Sequence, residues 1–359
     1  MINTIRTYTS LNLKNNHKKR NLNNHLNIYE TMEKVTPRFT NLIGNTPLID
    51  LSSLVDKGGA KLYAKCEFMN PGFSMKDRIA KYILDIAENT GKLKPGDTIV
   101  CSSSGNTGCS FAMLGGMRGY KVIVVTSKKC SIEKQNHVKA LNAKLIVVDE
   151  KDYMIYGQEL AESYGYFNVD QYNNPYNPKA YYETLGPEVW RETEGKLTHF
   201  VMTGSTFGCI SGTGKYLKEE NENIKIVLAD PLNSNIYDYY YHGYLAQNYQ
   251  YHTKKKRTYV IEGAGNYKQT KCLDFSVIDE VFRVSDRDAI HTCQQLARQE
   301  SLVVGGSSGL NVFAAKTIAS GLDKGNIVVT VLCDSGIKYL SKIYDHSFLE
   351  HHGINSLPV

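Results

Sequence analysis

Short runs of branched apolar residues recur along the chain, each followed by a longer stretch in which apolar and polar positions alternate with helical spacing. The runs at 61–65, 98–101, 120–125, 144–148, 200–203, 225–229 and 327–332 have strand length and carry most of the Val, Ile and Leu, so they predict strands. The windows between them predict helices. Nearly continuous apolar strands separated by amphipathic helices mark parallel βαβ units whose sheet is covered on both faces. The expected class is α/β, with two doubly wound lobes and mostly parallel sheets.

In sheets of this kind ligands bind beyond the carboxyl ends of the strands, where a loop enters a helix whose first N–H groups are unpaired. Three such junctions stand out: S-S-S-G-N-T-G at 102–108, G-S-T-F-G at 204–208 and C-D-S-G at 333–336. At the first, small residues allow a sharp turn and hydroxyls converge with N–H groups on a helix start, an arrangement suited to a carboxylate or phosphate. The same composition also describes a plain turn. Asn106 adds a neutral amide able to donate to a phenolic oxygen.

The second junction is not a Walker loop, because Gly208 lies one residue too far from Gly214 and Lys215 is followed by Tyr216 instead of Ser or Thr. The dinucleotide G-x-G-x-x-G fingerprint is also missing. A turn of small hydroxylated residues at a helix start still suits a phosphate monoester. One phosphate, a carboxylate turn and a reactive amine together describe pyridoxal phosphate better than ATP or NAD. Lys76, in N-P-G-F-S-M-K-D-R, is the candidate amine: it follows a Pro-Gly turn with Ser74 as the expected cap. In the first turn of a helix, the positive end of the dipole disfavours its protonation.

Composition narrows the setting. A chain of 359 residues suits two lobes, and 42% hydrophobic with 22% charged residues permits a large core. No apolar run approaches the ~20 residues of a membrane helix. The eight cysteines are scattered, with no C-x-x-C pair, so neither disulfides nor a metal site is expected and a reducing compartment fits. The net charge of +6 is uneven: Arg6, Lys14, Lys18, Lys19 and Arg20 precede the first acid, Glu30. Residues 1–32 therefore read as a disordered or targeting extension, with Met32 as an internal start. Cytoplasmic localisation is expected, and the acid-poor, Ser/Thr-containing extension keeps a mitochondrial presequence open.

Tyr237, Tyr239, Tyr240, Tyr241, Tyr244, Tyr249 and Tyr251 precede a basic run at 254–257. Clustered tyrosines suit a protein interface or the site entrance better than nucleic-acid stacking, so no nucleic-acid partner is expected. His351 and His352 fall in a tail, 346–359.

Several motifs, in one order, carry a family resemblance: N-L-I-G-N-T-P-L (41–48), K-C-E-F-M-N-P-G-F-S-M-K-D-R (65–78), L-K-P-G-D-T-I-V (93–100), S-G-N-T-G (104–108), D-Q-Y-N-N-P-Y-N-P (170–178), G-G-S-S-G (305–309) and D-S-G-I-K-Y-L-S-K-I-Y (334–344). The chain resembles the fold type II, or tryptophan synthase β-like, pyridoxal-phosphate enzymes, specifically the cystathionine β-synthase and cysteine synthase family. The resemblance implies a large cofactor-binding lobe from 33–69 and 175–345, a small mobile lobe at 70–174, and a homodimer.

It further implies that Lys76 is the Schiff-base lysine and general acid/base, that Asn106 bonds the cofactor's 3′-oxygen, and that Ser335 bonds the pyridine nitrogen. Gly204, Ser205, Thr206, Gly208 and Cys209 would hold the phosphate. Ser103, Ser104 and Thr107, helped by Gln171, would hold the substrate carboxylate. The implied activity is β-replacement on serine or an O-activated serine through an aminoacrylate, with a thiol or sulfide as second substrate, giving cysteine or cystathionine. A neutral serine at the pyridine nitrogen favours this β-chemistry over transamination. β-Elimination, or a non-catalytic member with weakened phosphate binding, is the alternative. The E-G-A-G segment at 262–265 resembles the family's substrate-facing loop.

One departure stands out. Relatives carry G-T-G-G-T where this chain has Ser205, Thr206, Phe207, Gly208 and Cys209, so Phe207 must either point away or reshape the phosphate pocket. Haem is not expected, because no cysteine precedes Cys66, nor is a regulatory nucleotide-binding tail.

Overall fold

The computed structural model describes residues 39–149, 152–243 and 259–357. Its strands are β1 (Leu48–Asp50), β2 (Lys61–Cys66), β3 (Thr98–Ser102), β4 (Lys121–Ser127), β5 (Lys144–Val148), β6 (Phe167–Asn168), β7 (His199–Met202), β8 (Lys225–Pro231), β9 (Glu280–Val284) and β10 (Ile327–Leu332). Seven coincide with the expected runs to within two residues at either end. The other three left too weak a pattern: β1 and β6 are too short to show a period, and β9, E-V-F-R-V, mixes charges into an edge strand.

Two sheets result. One has six strands in the order β1-β2-β10-β7-β8-β9, and the other has four in the order β5-β4-β3-β6. All pairings are parallel except β1 with β2, an antiparallel edge. Side chains alternate across a strand, so each strand feeds two cores. From β10, Val328 and Leu332 join one core with Leu62, Val201 and Val227, while Val329 and Val331 join the opposite one with Phe200, Ile226 and Leu228. The Asp286–Gln299 and Gly306–Ser320 helices cover the first face, and the Tyr176–Glu183, Leu185–Glu192 and Gly208–Glu220 helices cover the second. In the smaller sheet, Ile99, Cys101, Val122 and Val124 pack under the Lys76–Asn89 and Asn106–Met117 helices. Val100 and Val125 face the Tyr153–Tyr164 helix.

This order decides where the chemistry sits. Strands β2, β10 and β7 are neighbours, so the loops after them, leading to Lys76, Ser335 and Gly208, leave the same edge side by side. Among the described residues no helix is long and apolar enough to cross a membrane, and all eight cysteines are free and buried. Tyr244, Tyr249, Tyr251, the basic run at 254–257 and the extension at 1–32 lie outside the described residues.

Candidate active site

Beyond β2 the chain turns through Pro71 and Gly72 into the Lys76–Asn89 helix. Met75, not Ser74, occupies the cap position, and Ser74 Oγ only accepts from Lys76 N at 3.3 Å. The missing cap is offset from across the sheet edge: Met75 N donates to Cys333 O (2.9 Å) and Ser335 N donates to Phe73 O (3.1 Å). Two backbone bonds thus stitch the lysine turn to the third junction.

Buried charge anchors the helix behind Lys76. Asp77 accepts from Gly72 N (2.5 Å) and from Ser110 Oγ (2.6 Å). Arg78 Nε pairs with Glu67 Oε2 and Nη1 with Glu188 Oε1, each at 2.7 Å, and Lys65 reaches Glu188 at 3.0 Å and Glu192 at 2.7 Å. Lys65, Glu67, Arg78 and Glu188 are all buried, and such charges persist in an interior only when paired and hydrogen-bonded.

Lys76 itself is half-buried, with Nζ 6.0 Å from the centre of the Tyr181 ring. Burial pushes its pKa below the ordinary lysine value, while Cys209, Cys333 and Asp334 partly oppose the shift. The leading cause is desolvation, where the sequence pointed to the helix dipole.

Asn106 is the first residue of the Asn106–Met117 helix, and its Nδ2 donates to Asp334 Oδ2 at 2.6 Å. The third junction enters a 3₁₀ turn, Gly336–Tyr339, instead of an α-helix. Ser335 caps that turn and accepts weakly from Ile337 N at 3.4 Å. The structure therefore brings Lys76, Asn106 and Ser335 together around one buried carboxylate, Asp334.

At the carboxylate turn Ser103 Oγ accepts from Gly105 N (3.1 Å), and Thr107 Oγ1 donates to Gln171 Oε1 (2.7 Å). Gln171 Nε2 donates to Ser102 O at 2.9 Å, so both ends of its amide are engaged inside the protein. Asn177 continues the chain of bonds: Nδ2 donates to Gln171 O (2.8 Å) and to Thr206 Oγ1 (3.0 Å). One asparagine thus ties the carboxylate turn to the phosphate turn.

In the phosphate turn Phe207 adopts φ 66°, the left-handed region, and its ring is buried in the large-sheet core. The ring also packs against Gly204 at the head of the turn, where a Cβ would lie 2.5 Å from Phe207 Cδ1. The 262–270 segment clasps the turn by Gly265 N to Gly204 O (2.7 Å), Asn266 Nδ2 to Ser205 O (3.0 Å) and Thr270 Oγ1 to Thr206 O (2.8 Å). Glu262, at the head of that segment, is paired with Lys134 at 2.7 Å and with Lys342. Lys134 lies against the carboxylate turn, where a Cβ built on Gly105 would come within 3.0 Å of its Nζ.

Residues 39–334 match the family described as pyridoxal-phosphate dependent enzyme. The chain belongs to the pyridoxal-phosphate-dependent enzymes. The enzyme is 37% identical over 330 residues to a cystathionine beta-synthase of Apis mellifera, a match covering 89% of this chain and 64% of that relative's length. It is 36% identical over 314 residues to a cysteine synthase of Staphylococcus aureus, covering 86% of this chain and 97% of the other. Among solved structures, an O-ureido-L-serine synthase superposes with a TM-score of 0.79 at 32% identity, covering 87% of this chain and 96% of that one.

The residues present fit pyridoxal phosphate. The enzyme offers a half-buried amine, and Gly204, Ser205, Thr206, Gly208 and Cys209 lie at the start of a 13-residue helix. Among the described residues no acceptor engages the N–H groups of Ser205, Thr206 or Phe207. Gly208 keeps the turn open, since a Cβ there would lie 2.1 Å from Asn177 Oδ1. Lys134, Asn177, Asp334 and Lys338 were not singled out in the sequence. Asn177, Asp334 and Lys338 lay inside the quoted motifs, but nothing in a sequence marks which lysines are buried.

Proposed function

We propose that the enzyme replaces the β-substituent of serine, or of a serine activated on its hydroxyl, with a thiol or sulfide to give cysteine or cystathionine. The observation that carries this reading is half-buried Lys76 in a turn bonded to the 333–335 segment, which holds Ser335 and, through Asp334, Asn106. Bound pyridoxal phosphate supplies the electron sink for charge left at the substrate α-carbon.

The protein supplies binding, orientation and proton transfer. Thr206 accepts from Asn177, so its own hydroxyl proton is available to the phosphate, together with the N–H groups of the Gly204–Cys209 turn. The Thr107 hydroxyl directs its proton to Gln171 and away from substrate. The donors to a substrate carboxylate are then the Ser103 and Ser104 hydroxyls and the N–H groups at the helix start. Lys76 Nζ, its charged form disfavoured by burial, takes the α-proton and carries it within the site. Ser335 presents a neutral hydroxyl to the pyridine nitrogen, which suits β-replacement.

The test pairs serine, O-acetylserine and O-phosphoserine each with sulfide or homocysteine and quantifies products by mass spectrometry. At least one pair yields cysteine or cystathionine, and Lys76→Ala loses at least about 10²-fold in rate. A cofactor-loaded wild type that forms no replacement product from any pair overturns the reading, and pyruvate in its place identifies β-elimination.

A further inference from the structure

The Asn106 amide is held at both ends. Its Nδ2 donates to Asp334 Oδ2 at 2.6 Å, and its Oδ1 accepts from Lys338 Nζ at 2.9 Å. Neither partner is free to drift. Asp334 Oδ2 also accepts from Tyr339 Oη at 2.5 Å, and Lys338 Nζ also donates to Gly72 O at 2.7 Å. A carboxylate can only accept and an ammonium can only donate, so together they distinguish the two ends of an amide that could otherwise flip. One N–H of Asn106 is left over.

A second observation concerns the other carboxylate oxygen. Asp334 is fully buried, yet among the described residues its Oδ1 has no hydrogen-bond partner. Room for that oxygen exists only because residue 305 is glycine: a Cβ there would lie 2.0 Å away. Burying an unpaired carboxylate oxygen is costly, and a purely structural role would be served as well by a neutral side chain. The charge sits one residue before Ser335, in the segment bonded to the lysine turn.

On the function proposed above, and with Asn106 facing the cofactor's phenolic oxygen as the family resemblance implies, the geometry points to Asp334 and Lys338 as positioning residues. They fix the Asn106 amide so that its remaining N–H meets that oxygen, and Asp334 places its carboxylate in the segment bonded to the lysine turn. Tyr339 holds the carboxylate in place. None of the three needs to touch substrate.

The test uses Asp334→Ala, Asp334→Asn and Lys338→Met, each in the wild-type and the Asn106→Ala backgrounds. Cofactor dissociation constants come from equilibrium dialysis, and the absorbance band of the bound cofactor is recorded in parallel. Asp334→Ala and Lys338→Met each weaken cofactor binding about tenfold. In the Asn106→Ala background the same changes shrink to about twofold or less, because the group they position is gone. Asp334→Asn keeps an acceptor oxygen for Asn106 and Tyr339, so affinity holds while the band moves with the lost charge. Asp334→Asn and Lys338→Met carry the test should Asp334→Ala fail to fold. Equal losses in both backgrounds, or an unmoved band in Asp334→Asn, overturn the proposal alone. A wild type that takes up no cofactor overturns the proposed function as well.

Discussion

The ring of Phe207 lies where a side chain at position 204 would have to be: a Cβ built on Gly204 would come within 2.5 Å of Phe207 Cδ1 and 2.9 Å of its Cα. Glycine at one position and a left-handed phenylalanine at the other are therefore a matched pair. Burying the ring offsets a backbone strain of about 1–2 kcal/mol. We predict that Gly204→Ala is destabilising by at least about 1–3 kcal/mol through overpacking. Phe207→Gly relieves the strain but loses a buried ring, for a net loss of about 2–4 kcal/mol. The double variant is more stable than the sum of the singles predicts, which urea unfolding of all four proteins measures. Strict additivity would mean that the two positions do not share the space.

The ion network behind Lys76 sets acid sensitivity. Burial pushes the Glu188 carboxyl up, but hydrogen bonds and charge from Arg78, with Lys65, hold its pKa down to about 2, against an ordinary value of 4.5. A carboxyl whose pKa is depressed by folding stabilises the protein above its unfolded value and ceases to do so as pH falls through the folded one. Glu188 therefore contributes roughly 3 kcal/mol that is lost between pH 4.5 and 2. The gap in stability between wild type and Glu188→Gln should close over that window in chemical denaturation at stepped pH. A gap that stays constant would remove Glu188 from the acid transition.

Lys76 predicts the opposite trade. Its folded pKa lies below the ordinary 10.5, so below that folded value both states are protonated and the cost of burying the ammonium is fully present. Between the two values the unfolded chain holds the extra proton, and wild-type stability rises with pH. Cofactor-free Lys76→Met should then be more stable than cofactor-free wild type at neutral pH, with the advantage shrinking as pH rises towards 10.5 and gone above it. Differential scanning calorimetry of both proteins checks the sign, and a less stable variant at neutral pH refutes it.

The Glu262 pairing is asymmetric. Lys134 is buried, with its ammonium 4.0 Å above the Tyr339 ring, whereas Glu262 has a second cation in Lys342. Burial opposes the Lys134 charge, but Glu262, Tyr339 and Asp334 raise its pKa well above the usual value. Glu262→Gln strands a buried ammonium and should cost about 3–5 kcal/mol, while Lys134→Met leaves Glu262 paired and costs less. Urea midpoints in the reverse order would contradict this reading of the network.

Much of the molecule was legible before folding was considered. Strand runs such as I-V-V-T-V-L at 327–332 are apolar on both faces because both faces of a central parallel strand are covered, so pattern and fate coincide. Segments rich in Gly, Ser and Thr after strands marked the three candidate turns for the same reason: the chemistry of an anion site is local backbone chemistry. Ser74 does not cap the Lys76 helix, and Met75 and Ser335 find their acceptors on other segments, 333 and 73, which no local rule anticipates.

What the sequence determined by itself was the class of the fold, the three turns of small residues at strand ends and a candidate amine, because periodicity, turn composition and helix-start chemistry act over a few residues. What only the tertiary structure decided was how those parts meet. The ring of Phe207 in the space above Gly204, the Asn177 bridge from Gln171 to Thr206 and the clasp of Asp334 and Lys338 on Asn106 join residues far apart in the chain. Their geometry depends on strand order and on burial, and a buried charge is distinguishable from a solvated one only once its surroundings exist.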